Sequence, residues 1–190
     1  MDNQTKSAFL LPRLSVMMFL QFAIWGAWLP LLWNYLDGHL GFDGARIGEI
    51  FMVGGIGAIF GPFIAGQLAD RYINTEKFLG ICHILGGILI WQLTWIEIDP
   101  GLTVEAETEA KATAYTLFMV FSLIYSLIYA PTLALTNSLS FHHLPNRDRD
   151  FGKIRLWGTV GWIAVGIGIG QYLLHSFTPA IDLALTGEAL

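Results

Sequence analysis

The sequence predicts an all-α membrane protein with five transmembrane helices. Of its 190 residues, 54% are hydrophobic and only 13% are charged, about half the charge of a soluble domain. The charged residues are clustered, and the stretches between clusters carry almost none. Five of those stretches are about 20 residues long, the length an α-helix needs to cross the hydrocarbon core with its backbone groups satisfied.

Residues 1–13 form a short cytoplasmic segment, and the first span covers Leu14–Leu36. That span is about twice as long as a signal-peptide apolar region and lacks a small-residue cleavage site after it, so it is read as a helix that stays. Gln21, Trp25 and Trp28 recur at i, i+4 and i+7 within it and share one helix face. The second span, Ile47–Leu68, carries Gly57 and Gly61 as a GxxxG pair, read as a close-packing surface for another helix. The third, Phe78–Ile96, holds Cys82 and His83, with Trp91 and Trp95 near one end as an interfacial belt.

The fourth span, Tyr115–Leu139, places Ser122, Tyr125, Tyr129, Thr132, Thr136 and Ser140 along one stripe. The fifth, Trp157–Leu174, is rich in glycine, and Arg155, Thr159 and Trp162 repeat the spacing of the first span. Pro30, Pro62 and Pro131 fall inside spans and predict kinks or local opening. Residues 175–190 are too few and too polar to cross, so they are expected to form an external loop ahead of a sixth helix.

Lys and Arg set the orientation. With the N-terminus inside, Lys6, Arg13, Arg71, Lys77, Arg147, Arg149, Lys153 and Arg155 are cytoplasmic, and only Arg46 and Lys111 lie outside. The loop Glu97–Ala114, with Glu97, Asp99, Glu105, Glu107 and Glu109, then faces out. The net charge of −5 comes from such loops, and no basic stripe of the kind nucleic acid requires is present. Cys82 is the sole cysteine, so neither an intrachain disulfide nor a cysteine-based zinc site is available.

Polar groups within spans should face a protein interior or water. The faces on the first, fourth and fifth spans together predict a cavity for a polar, planar solute, since stacking on an aromatic ring is worth roughly 1–3 kcal/mol per base. No Asp or Glu lies at mid-span, and His83 is the one titratable group well inside a helix, read as a packing residue. No nucleophile–base or metal-ligand pair appears at mid-span, so an enzyme is not expected. His142 and His143 are placed at the start of a cytoplasmic loop and read as solvated.

Ordered motifs add a family resemblance. The segment Gly66-Gln-Leu-Ala-Asp70-Arg71 resembles the GxxxD(R/K) loop of the major facilitator superfamily, in which a carboxylate latches the two halves of the carrier. The blocks Leu20-Gln-Phe-Ala-Ile-Trp25-Gly-Ala-Trp28, Phe42-Asp-Gly-Ala-Arg-Ile-Gly48, Ile81-Cys-His83, Pro131-Thr-Leu-Ala-Leu-Thr-Asn137 and Ile154-Arg155-Leu-Trp157-Gly-Thr159-Val-Gly161 resemble the nucleoside:proton symporters within that superfamily. They occur in order over nearly the whole chain.

The resemblance implies five helices of a six-helix N-terminal half, with a second half missing from this chain. It implies a nucleoside substrate, no cofactor other than a coupling proton, and a multi-pass position in the bacterial inner membrane. It assigns substrate contacts to Arg155 and Thr159, and contact with the base to the next aromatic, Trp162, where the family usually has Phe. A non-transporting truncated product, a subunit of a split carrier, and a carrier of the same fold for sugars or other polar solutes are the competing expectations.

Overall fold

A computed structural model describes residues 3–69 and 73–186. Five helices follow in order: α1 (Asn3–Asn34), α2 (Gly44–Ala69), α3 (Thr75–Leu93), α4 (Val104–His143) and α5 (Arg147–Thr186), with one π-helical turn at Tyr35–His39 after α1. Each contains a stretch long and apolar enough to cross a membrane. Helix assignment is continuous through Pro30, Pro62 and Pro131, and the wider π turn begins just downstream of Pro30.

The helices outrun the spans predicted for them. The connection before α4 is residues 94–103, so Glu105, Glu107 and Glu109 lie on the helix and not in a loop. The reason is physical: hydropathy marks where lipid begins, but carboxylates in a first turn meet the positive end of the helix dipole and extend the helix into water. Side-chain caps fix three of the starts. Thr103 Oγ1 accepts the Ala106 N–H at 3.4 Å, and Asn146 Oδ1 accepts the Arg149 N–H at 3.1 Å. Asp43 Oδ1 accepts the N–H groups of Ala45 and Arg46, both at 3.0 Å, at the start of α2.

The far end of α5 differs as well. A loop is expected from residue 175, yet the backbone stays helical to Thr186. No glycine occurs between Gly170 and Gly187, so nothing in that stretch supplies the left-handed residue that commonly ends a helix.

The chain divides into two packed units: residues up to Leu31 with those from Leu144 onward, and Leu32–His143. In the first, α1 packs on α5 around buried Leu14, Met18, Leu144 and Ile154. In the second, α4 is the central helix, packed on both α2 and α3. One end of that unit buries Leu36, Leu40, Phe42, Ile47, Ile50, Ile96 and Phe118, and the other end buries Phe78, Leu79, Cys82 and Leu135. The turn into α2 passes through Gly41 at φ +62°, a conformation that other residues rarely adopt.

Small residues set the helix spacing in both units. A Cβ on Gly57 would overlap the Ser126 side chain and lie 2.6 Å from its carbonyl oxygen, and one on Gly61 would lie 3.0 Å from the Pro131 nitrogen. The GxxxG pair is therefore the seat of α4 on α2, as the packing reading expects. The Ser126 hydroxyl crosses the same seam and donates to the Val53 carbonyl at 3.0 Å. Outward faces are apolar: Ile59, Phe63, Ile84, Trp91 and Trp95 are all exposed, as side chains facing lipid should be.

Candidate functional site

The first unit carries the cationic and tryptophan candidates. Its two helices meet almost backbone to backbone, because a Cβ on Gly26 would sit 2.5 Å from the Trp162 carbonyl oxygen, and one on Gly161 would sit 3.1 Å from the Phe19 Cα. That closeness brings the flanking side chains of α1 and α5 into register. Trp25 meets Trp162 edge to face, with ring centroids 6.1 Å apart at 84°, a favoured geometry for an aromatic pair. Two turns earlier on α5, the Arg155 guanidinium carbon lies over the Phe22 ring, 4.1 Å from its centroid.

Thr159 lies between Arg155 and Trp162 on α5, and its side chain is exposed. Gln21 is buried, whereas Trp25, Trp28, Arg155 and Trp162 are half-buried. Among the described residues, no carboxylate pairs with Arg155. The nearest acid in sequence on α5, Asp150, is already engaged by Arg149 at 2.7 Å and Lys153 at 3.1 Å.

The second unit carries the hydroxyl stripe, and its chemistry is different. Tyr129, Thr132 and Thr136 are buried along with Tyr125 and Ser140. The Thr132 hydroxyl donates to the Tyr129 carbonyl at 2.6 Å, Thr136 to Thr132 at 2.7 Å, and Ser140 to Thr136 at 2.9 Å. These protons are spent on the helix's own backbone. Tyr125 and Tyr129 stack with centroids 5.2 Å apart at 12°. His83 meets the Tyr129 ring edge to face at 5.7 Å. Its Nδ1 lies 2.7 Å from the Leu79 carbonyl, an acceptor only, so the proton is on Nδ1.

Of the latch residues, Gly66 is on α2 with an exposed position, while Asp70 and Arg71 lie outside the described residues. His142 and His143 are exposed in the last turn of α4 and not in a loop, with His143 Nδ1 donating to the Leu139 carbonyl at 3.0 Å. Helix continuity explains the shift, since the apolar count ends before the α-helical hydrogen bonding does.

Two residues beside Arg155 escape the sequence reading. Phe22 is one more apolar ring in an apolar span, and nothing in its type separates a cation platform from a lipid-facing side chain. Gly158 looks like one more packing glycine, yet a Cβ there would lie 2.6 Å from the Phe22 ring and 2.8 Å from Arg155 Nη1. The signal available was spacing: Phe22 shares a face with Trp25, and Gly158 follows Arg155 by three residues.

Comparison with known proteins gives these helices a context. A family model described as nucleoside H+ symporter matches residues 9–182. The putative nucleoside transporter YegT of Escherichia coli (strain K12) is 37% identical over 83% of this chain and 33% of its own length. The nucleoside permease NupG of the same organism is 36% identical over 80% of this chain and 33% of its own, and its xanthosine permease is 33% identical over 93% and 39%. A crystal structure of a mutant of the nucleoside transporter NupG superposes with a TM-score of 0.74 at 31% identity, covering 87% of this chain and 38% of that one. The chain thus spans about a third of the length of the curated relatives it matches.

Proposed function

Because the chain belongs to the nucleoside H+ symporter family, we propose that its five helices are the leading part of a nucleoside carrier. In this reading Arg155, Thr159 and Trp162 on α5, with Gln21, Trp25 and Trp28 on α1, contact the nucleoside. The observation that carries the reading is Arg155 in a membrane-spanning unit, with no carboxylate partner among the described residues and the Trp25–Trp162 pair two turns along α5. Drawing an arginine into a span is costly, up to about 2.5–3.5 kcal/mol at its centre on insertion scales, and binding a ligand is a function that offsets such a cost.

The chemistry follows from the side chains. The guanidinium has five N–H donors and no acceptor, and the ribose hydroxyls and base carbonyls of a nucleoside supply acceptors. A tryptophan face supplies stacking worth roughly 1–3 kcal/mol per base. Transport requires that a second half close over the same ligand, and rocking of the two halves around it exposes the site to each side in turn. The coupling proton then travels on groups outside these five helices. The remaining parts of the proposal are an inner-membrane position, a cytoplasmic N-terminus and a Gly66–Asp70–Arg71 latch.

The test is uptake of labelled uridine by a nucleoside-transport-deficient bacterium expressing the complete reading frame that encodes this chain. Uptake that excess unlabelled nucleosides suppress and excess sugars leave intact is the expected result. Normal membrane abundance without uptake overturns the nucleoside assignment.

A further inference from the structure

We propose that Phe22 is a positioning residue for Arg155, and that Gly158 is the gap that admits the guanidinium to the ring. The inference rests on the reading of Arg155 as a substrate contact and adds what holds that side chain in place. Arg155 lies over the Phe22 ring with its guanidinium carbon 4.1 Å from the centroid. Among the described residues no acid or carbonyl orients it. A long flexible side chain with no fixed partner loses about 2 kcal/mol of rotamer freedom when a ligand orders it, so a platform that orders it beforehand strengthens binding.

The ring is suited to this task in a way a carboxylate is not. An aspartate or glutamate would neutralise the charge and occupy two of the guanidinium's donors. An aromatic face attracts the cation through its quadrupole, more strongly where water is excluded, and accepts no hydrogen bond in the plane of the donors. Arg155 therefore keeps its charge and all five N–H groups for a ligand while its position is fixed.

Gly158 completes the device. A Cβ at that position would meet the Phe22 ring at 2.6 Å and Arg155 Nη1 at 2.8 Å. Both are side-chain atoms, so a methyl group there moves the ring or the guanidinium and leaves the backbone contact of the two helices alone. Gly161 makes a different contact: its neighbour is the Phe19 main chain. The two glycines of the Arg155-Leu-Trp-Gly158-Thr-Val-Gly161 run thus have separate tasks, one for the arginine and one for the helix pair.

Two readouts test the proposal. In cells expressing the complete reading frame, Phe22→Leu should raise the KM for uridine about tenfold with the maximal rate retained, while Phe22→Tyr, which keeps the ring, stays within about twofold of the parent. Gly158→Ala should repeat the Leu effect. A KM unchanged in Phe22→Leu and Gly158→Ala, or a fall in maximal rate with KM intact, overturns the positioning role.

The second readout needs no transport. The purified chain is treated with phenylglyoxal, an arginine reagent, and labelling at Arg155 is followed by peptide mass spectrometry. Phe22→Leu and Gly158→Ala should label Arg155 several-fold faster than the parent and Phe22→Tyr, because the ring no longer covers one face. Equal labelling in all four proteins overturns the proposal. If the parent takes up no uridine, the nucleoside assignment fails separately, and the labelling result alone decides whether Phe22 holds Arg155.

Discussion

The α1–α5 unit and the α2–α3–α4 unit solve the same problem, polar groups in an apolar medium, in opposite ways. In the α2–α3–α4 unit the hydroxyls of Ser126, Thr132, Thr136 and Ser140 all donate to backbone carbonyls. In the α1–α5 unit Arg155 rests on a ring face that accepts no hydrogen bond, and Thr159 is exposed. The contrast teaches where binding capacity remains. A donor satisfied by the backbone has little left to offer a ligand, whereas a donor held without an acceptor is available to one. Both helix seams bring main chains together at glycines, Gly57 and Gly61 in one and Gly26 and Gly161 in the other, and at the α2–α4 seam a serine hydroxyl also bridges the pair.

Five substitutions can break or sharpen that contrast. The largest effect is expected from Arg155→Ala, which should cut the initial rate of uridine uptake about 100-fold, the loss of a charged donor, with membrane insertion intact by immunoblot of washed membranes. Parent-like uptake would mean that Arg155 merely reaches for headgroups. Next comes Gly57→Val, which forces side-chain volume into the Ser126 main chain. It should lower stability by about 1–3 kcal/mol, read as an earlier thermal transition in detergent, with the uptake per folded molecule preserved.

A smaller and more pointed test compares two threonines. Thr159→Val should reduce the apparent affinity for uridine about fivefold, and Thr136→Val no more than about twofold, because only the second hydroxyl is already committed to the helix backbone. Reversed magnitudes in competition binding would place the ligand on α4 and undo the contrast. The smallest effect concerns Asp43, the cap of α2. The N–H of Arg46 first, then that of Ala45, holds its carboxylate below the ordinary 3.8. The folded-state value is depressed, so the cap's charge-linked stabilisation is fully present above 3.8 and is lost as pH falls through the lower value. Asp43→Ala should therefore lower the melting temperature slightly at pH 7, and the gap should narrow in acid. A gap independent of pH would mean that the charge is not what caps the helix.

Much of this was legible in the residues. The five spans could be read because lipid leaves a long apolar run with few alternatives to a helix, and Gly57 and Gly61 pointed to close packing because only small residues allow it. Helix ends were less legible. Glu105 and Asp148 are polar and so count against a span, yet each stabilises a helix N-terminus in water. The stripe from Tyr125 to Ser140 was correctly placed on one face, but its periodicity could not say that the hydroxyls of Thr132, Thr136 and Ser140 turn back onto their own carbonyls. Phe22 was hidden because a ring that supports a cation and a ring that faces lipid have the same composition. Only the position of its neighbour across the helix pair distinguishes them.

The hydrogen bond from Ser126 to the Val53 carbonyl joins residues 73 apart in sequence. At synthesis rates of about 5–20 residues per second, α2 is complete roughly 3–11 s before Ser126 exists to meet it. During that interval the groove around Gly57 is filled by lipid or by the insertion machinery, which must then yield to α4. The seam that gives the finished unit its spacing is therefore also a timing constraint on biogenesis. Slowing elongation between α3 and α4 lengthens the exposure of the groove without altering one atom of the folded protein.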